Sequence, residues 1–109
     1  MSDKLTDIER YDGVNLATEE AKPKIKRPSL YRVVLLNDDF TPMEFVVDIL
    51  GSVFDMERTR AIQVMLEVHT KGKGLCGVFS HGIAETKVAQ VMTIANQQQH
   101  PLLCTMEES

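Results

Sequence analysis

The segment from Tyr31 to Phe45 constrains the fold most, because its pattern changes within a few residues from a strand to a helix start. Tyr31 to Leu36 is β-branched and nearly continuously apolar, which predicts a strand inside a sheet. Asn37 and the adjacent acids Asp38 and Asp39 then end the strand with turn-forming residues. Two carboxylates between apolar elements indicate either residues that simply favour a turn or a site that binds a cation.

A helix is predicted directly after this turn, and a second helix follows it. Thr41 is the expected N-cap, Pro42 takes the first helical position, and Glu44 completes a capping box. Asp55 is expected to cap the second helix. The predicted inward face of the second helix consists of Ala61, Ile62, Met65, Leu66 and His69, flanked by Val64 and Val68.

The remaining pattern predicts two more strands and a third helix. Lys71 to Gly74 is expected to be a turn, with glycine ending the second helix after a cation. Residues 75–80 predict a strand, a helix opens at Ser80 or His81, and Leu102 to Met106 predicts the last strand. This order predicts an α+β domain in which three helices cover one face of a small three-stranded antiparallel sheet.

Residues 1–28 differ in composition from the rest. Six acids and two cations occupy the first 20 residues, and four cations and two prolines lie in residues 22–28. Such a segment cannot bury enough apolar surface to offset its ordering entropy. We therefore expect a flexible N-terminal extension, either a solubilising tail or a functional arm, before a core domain at residues 29–109.

Composition narrows the functional classes. The formal net charge of −4 argues against a nucleic acid held through its phosphates. No apolar run reaches the roughly 18 residues that a membrane span needs. Cys76 and Cys104 lie apart in apolar runs, which fits buried reduced thiols better than a secreted disulfide scaffold. A cytoplasmic protein is expected.

Several polar residues are candidates for a site. Asp38, Asp39 and His69 could in principle hold a metal or hydrolyse a substrate, but the sequence offers no clear further ligand and no nucleophile in a recognisable elbow. We predict no metal, no cofactor and no catalytic residue. His69 is either a partly buried histidine satisfied by a carbonyl or, with Met65, part of an adaptable apolar pocket whose polar rim includes Asn37. Such a pocket suits a ligand that is cationic at one end.

Several ordered motifs resemble the ClpS family, the bacterial N-degron adaptors of the ClpAP protease. They are YRVVLLNDDFTPMEFV, MLEVH, KGLCGVF, AETKVA and HPLLCT, and they span Pro28 to Glu107. The resemblance implies a protein that performs no chemistry, binds substrates with N-terminal Leu, Phe, Tyr or Trp, and delivers them to the ClpA unfoldase. The alternative from another class is a small structural interaction domain similar to the C-terminal domain of a ribosomal stalk protein.

The resemblance also assigns residues. Its contacts to the α-amino group match Asn37, Asp38 and His69. Its pocket for the first side chain matches Asp39, Thr41, Pro42, Met43, Val46, Met65, Val68 and Leu102. Within that pocket, Met43 matches a gate that disfavours β-branched first residues.

The resemblance further implies a docking surface for ClpA. Glu85 and Lys87 match this surface, whereas Gly82 stands where an acidic residue is common in the family. We expect a monomer that contacts the N-terminal domain of ClpA. The family's mobile N-terminal extension is needed for delivery, which gives residues 1–28 an expected role.

Overall fold

The computed structural model describes residues 29–109 of the chain. Its elements in chain order are β1 (Leu30–Leu36), α1 (Met43–Phe54), α2 (Arg58–Lys71), β2 (Lys73–Ser80), α3 (His81–Gln97) and β3 (Leu103–Glu108). Every predicted strand and helix is present, and the predicted and observed elements differ only in their terminal residues. The predicted N-terminal extension lies outside the described residues.

The central strand of the sheet is β1, since the strand order is β2-β1-β3 and both pairings are antiparallel. Side chains alternate between the two sheet faces, so Val33 and Leu35 point the same way. Both are fully buried in one core with residues of all three helices. Arg32 and Thr105, by contrast, are exposed. The predicted α+β architecture, with helices on one face of the sheet, is therefore confirmed.

The two cysteines lie on the strands that flank β1. Both thiols are free and buried. Burial raises the pKa of Cys104 to about 12. Burial, together with the neighbouring Cys104, also raises the pKa of Cys76. Both thiols therefore stay protonated at neutral pH and pack as small apolar core residues.

The core face of α2 differs from the predicted one. Its buried residues are Ala61, Val64 and Val68, whereas Leu66 is 47% exposed and His69 is exposed as well. The predicted inward stripe is confirmed at Ala61, and Ile62 and Met65 pack against the core, but it is wrong for Leu66 and His69. The helix carries two adjacent apolar faces at helical spacing. Contact with the sheet selects the face that contains the two valines.

Gly74 shows how α2 reaches the sheet. This glycine is buried in β2, and a Cβ atom there would lie 2.6 Å from Val68 Cγ2 and 3.1 Å from the Val64 carbonyl oxygen. Glycine is therefore required for the close approach of helix and strand. The predicted turn is confirmed at Gly72, whose φ of 85° ends α2. It is wrong for Lys71, which belongs to α2, and for Lys73 and Gly74, which belong to β2.

The connection between α1 and α2 also corrects a prediction. Asp55 adopts a φ of 56° and its backbone N–H donates to the Leu50 carbonyl, so this residue ends α1. Glu57 is the N-cap of α2. The predicted N-cap at Asp55 is wrong because aspartate also tolerates the left-handed conformation that ends a helix.

Candidate functional site

A cleft opens where the β1–α1 loop, the start of α1, the end of α2 and the approach to β3 meet. It contains about 280 Å³ of empty space, its mouth included. Its lining residues are Leu36, Asn37, Asp38, Thr41, Met43, Val46, Met65, Val68, His69 and Leu102. All three residues predicted for an α-amino group therefore meet here, with six of the eight predicted for a side-chain pocket.

The β1–α1 loop is held in shape by the side chain of Asp38. Its Oδ1 accepts the backbone N–H of Phe40 at 2.8 Å and that of Thr41 at 2.7 Å. Its Oδ2 accepts the Thr41 hydroxyl at 2.8 Å. Aspartate commonly bonds the backbone two residues on in this way. The Asp38 carboxylate thus holds the β1–α1 loop, which forms one wall of the cleft, in shape.

These hydrogen bonds correct the predicted start of α1. Thr41 uses its hydroxyl and its amide on Asp38, so the helix begins one residue later with Pro42 as N-cap. Pro42 has an extended conformation, and its carbonyl accepts the N–H of Val46 at 3.2 Å. The predicted capping box with Glu44 is therefore wrong, because this N-terminus has no side-chain cap.

The charge of Asp38 is stabilised by its surroundings. Burial alone would raise the pKa of this carboxyl, but hydrogen bonds from the Thr41 hydroxyl and from the backbone N–H groups of Phe40 and Thr41 outweigh it, and His100 adds a favourable charge. The net result is a pKa below the ordinary value. A carboxylate offers about four acceptor sites. Three are used internally, so Oδ2 keeps one for a further donor.

The opposite wall of the cleft comes from the last turns of α2. Met65, Val68 and His69 share a face because residues three and four apart are neighbours on a helix. Val68 is buried and His69 is exposed, so the wall changes from apolar inside to polar at the mouth. The exposure of His69 does not fit the alternative of a partly buried, internally satisfied histidine.

The floor of the cleft is apolar. Val46 and Leu102 are 6% and 2% exposed, whereas Met43 is 45% exposed at the mouth. The prediction that Leu102 belongs to the last strand is wrong, because β3 begins at Leu103. Sequence reasoning missed Leu36, although its position directly before Asn37 was an available signal.

Two residues predicted for the pocket lie outside its lining. Asp39 and Pro42 are both exposed and are absent from the residues that surround the empty space. Adjacent residues in a turn point in different directions, so Asp38 enters the cleft while Asp39 faces solvent.

The predicted docking residues lie on α3, away from the cleft. Glu85 is exposed. The Lys87 Nζ atom donates to the Val53 carbonyl at 2.7 Å and lies 5.9 Å from the centroid of the Phe54 ring. No basic residue occupies the last turn of α1 itself, so Lys87 supplies the cation that a helix C-terminus favours.

Among residues 29–109, no three His, Cys, Asp or Glu side chains are grouped so that they could hold a metal ion. Within this range no helix has the length and apolar character needed to cross a membrane.

The described residues form a small α+β domain with a cleft that is apolar inside and polar at its mouth. The family model of the ATP-dependent Clp protease adaptor protein ClpS matches residues 26–105. The chain therefore belongs to the ClpS family, whose members are adaptors of the Clp protease. The resemblance seen in the sequence motifs is confirmed.

Individual relatives agree with this family. The ClpS adapter protein of Methylococcus capsulatus is 65% identical over 89% of this chain and 92% of its own length. That of Alkalilimnicola ehrlichii is 52% identical over the full length of both chains. Among solved structures, Agrobacterium tumefaciens ClpS2 bound to L-phenylalaninamide superposes with a TM-score of 0.75 at 40% identity, over 76% of this chain and all of the other.

Proposed function

We propose that this chain recognises N-degrons and delivers them to ClpA. It binds substrates that begin with Leu, Phe, Tyr or Trp through their free α-amino group, and as a monomer it contacts the N-terminal domain of the unfoldase. The observation that carries the proposal is the cleft itself, in which Asn37, Asp38 and His69 lie at the mouth of an apolar cavity.

The mouth of the cleft suits an ammonium group. A free N-terminus is positively charged below its pKa of about 7.7–8.0, and its three N–H donors need three acceptors. The Asn37 amide oxygen, the free site on Asp38 Oδ2 and one nitrogen of a neutral His69 ring supply them. Hydrogen bonds to an ionised partner are about twice as strong as neutral ones. An acetylated or internal peptide lacks both the charge and the donors.

The interior of the cleft suits a large apolar side chain. Val46, Val68 and Leu102 line the inner part of the cleft, so a guest side chain contacts apolar groups there. Full burial of a Leu or Phe side chain contributes about 1.5–3 kcal/mol. Met43 and Met65 have flexible thioether side chains, which allow the pocket to fit aliphatic and aromatic guests. Met43 at the mouth acts as the gate against β-branched residues.

The structural relative supports this choice of ligand. Agrobacterium tumefaciens ClpS2 was solved with L-phenylalaninamide, which combines a free α-amine with an aromatic side chain. Its amide replaces the free carboxylate, as the next peptide bond does in a protein substrate. The ligand that we propose for this chain has the same two features, a free α-amine and a large apolar side chain.

Delivery to ClpA uses a second surface. Glu85 is exposed on α3 and is available to a partner. Lys87 belongs to the same surface, although its ammonium group is already hydrogen bonded to Val53. Residues 1–28 take part in delivery rather than in peptide binding.

Fluorescence titration with peptides that differ only at their first residue tests the ligand. Free N-terminal Leu, Phe, Tyr and Trp should bind, whereas Val, Ile and an acetylated Phe N-terminus should bind weakly. Equal affinity for the free and the acetylated peptide would remove the ammonium role of Asn37, Asp38 and His69.

Degradation of an N-degron substrate by ClpAP tests delivery. Deleting residues 1–20 should leave peptide affinity unchanged and slow degradation. Unchanged degradation would show that the extension is only a solubilising tail.

A further inference from the structure

We propose that His100, which does not line the cleft, is a positioning residue for it. Its ring packs on Phe45 and thereby sets the spacing between Leu102 and the first turn of α1. The inference rests on the proposed function of the cleft, and it adds a determinant of which first side chains fit.

The ring contact joins two segments that build the cleft. The centroids of the Phe45 and His100 rings are 4.4 Å apart and the ring planes are inclined by 59°. This is the close, tilted geometry that aromatic pairs favour. Phe45 lies in the first turn of α1, between Met43 and Val46, and is packed against the core. A shift at this contact therefore moves the helix turn that carries Met43 at the mouth and Val46 in the floor of the cleft.

The backbone around His100, between α3 and β3, is also constrained. The N–H of His100 donates to the Ala95 carbonyl at 2.8 Å, which ties it to the last turn of α3. Gln99 before it has a φ of 60°, and Pro101 after it has its φ fixed by the ring. Leu102 follows at once and is almost fully buried in the cleft floor. The position of His100 thus fixes the position of Leu102.

His100 also influences the loop between β1 and α1. Its positive charge is among the causes that lower the pKa of Asp38. One residue therefore contacts or influences three parts of the cleft: the loop, the start of α1 and the approach to β3. Removing its ring should loosen the floor without removing any group that touches the ligand.

The expected consequence is a change in selectivity. In His100→Ala the gap between Leu102 and α1 widens, so a small guest loses contacts that a large guest can recover. We expect the Kd of a peptide with N-terminal Leu to rise about five- to tenfold, and that of a matched N-terminal Trp peptide to rise less than about twofold. His100→Phe keeps an aromatic ring against Phe45 and should restore the Leu affinity.

The chain offers a matched control. Tyr31 and His81 form a second histidine–aromatic pair, with centroids 5.0 Å apart, and neither residue lines the cleft. His81→Ala should leave both peptide affinities unchanged. The reciprocal variant Phe45→Leu removes the aromatic ring on the α1 side of the contact. It should raise the Kd of the Leu peptide selectively, as His100→Ala does. The two variants test the same contact, so the test remains valid if one of them folds poorly.

The titrations separate this inference from the proposed function. Equal losses for the Leu and Trp peptides in His100→Ala, or no recovery in His100→Phe, would overturn the positioning role, since a smaller folded fraction lowers both affinities alike. Failure of the unmodified protein to bind either peptide would overturn the proposed function and, with it, this inference.

Discussion

Side chains from outside α1 fix the loop before this helix and the last turn of the helix itself, but only the loop borders the cleft. Before the helix, Asp38 makes three hydrogen bonds within the loop and keeps one acceptor site for a ligand. At the other end, the ammonium of Lys87 is hydrogen bonded to Val53 and lies over Phe54. Both residues have a role in the proposed function. A residue with a proposed binding role can therefore also stabilise the fold, and its internal hydrogen bonds decide how much of its binding capacity is left for a partner.

The largest effect is expected from Asp38→Asn at the cleft end. Asparagine keeps an oxygen that accepts the N–H groups of Phe40 and Thr41, and its amide can donate to the Thr41 hydroxyl, so the loop should persist. Losing the charge-assisted bond to the ammonium should weaken binding of an N-terminal Phe peptide about 10- to 100-fold. Titration against the unmodified protein measures this change.

Asp39→Asn is the matched control for this prediction. It removes a charge next to Asp38 but outside the cleft lining, so the affinity should change less than about twofold. If both variants bind equally well, the carboxylate of Asp38 serves the loop alone.

A smaller effect, on stability, is expected from Lys87→Met at the far end. The variant keeps the apolar stem but loses the hydrogen bond to the Val53 carbonyl, and the free energy of unfolding should fall by about 1 kcal/mol. For a domain of this size that lowers the Tm by about 4–8 °C. Thermal unfolding measures it.

Glu85→Gln on the same helix should leave the Tm unchanged, because Glu85 is exposed, and should weaken docking on ClpA. An unchanged Tm in Lys87→Met would contradict the structural role of Lys87. The ammonium group of Lys87 in the unmodified protein would then be available for docking.

The smallest effect concerns pH. The pKa of Asp38 is lowered in the folded state, so its contribution to stability is present above the pKa of an unfolded aspartate, about 3.9. It is lost as the pH falls through the lower folded value. The Val53 carbonyl at the other end of α1 does not titrate.

Urea unfolding of the unmodified protein and of Asp38→Asn between pH 3 and pH 7 checks this. The difference in unfolding free energy should be constant above about pH 5 and shrink towards pH 3. A difference that stays constant over the whole range would show that the charge of Asp38 does not stabilise the loop.

Much of the cleft was predictable because its residues lie in two short segments with local signals. Asn37 to Met43 follows a strand directly, and the side chains of Met65 and His69 lie on one helical face by spacing alone. The strand near Leu102 was predictable from its own pattern, but the place of Leu102 in the cleft followed only from the family resemblance. The pairing of that strand with β1 joins residues far apart in the sequence, and no local pattern encodes that contact.

The sequence by itself determined the order of strands and helices, the turn after β1 and the family, because each depends on neighbouring residues or on ordered motifs. Tertiary structure decided the rest. Packing through Gly74 selected the buried face of α2 and turned Met65 and His69 towards the cleft. The hydrogen bonds of Asp38 displaced the predicted helix cap at Thr41. A side chain with two possible partners takes the one that the fold brings within reach, and only the folded chain shows which one that is.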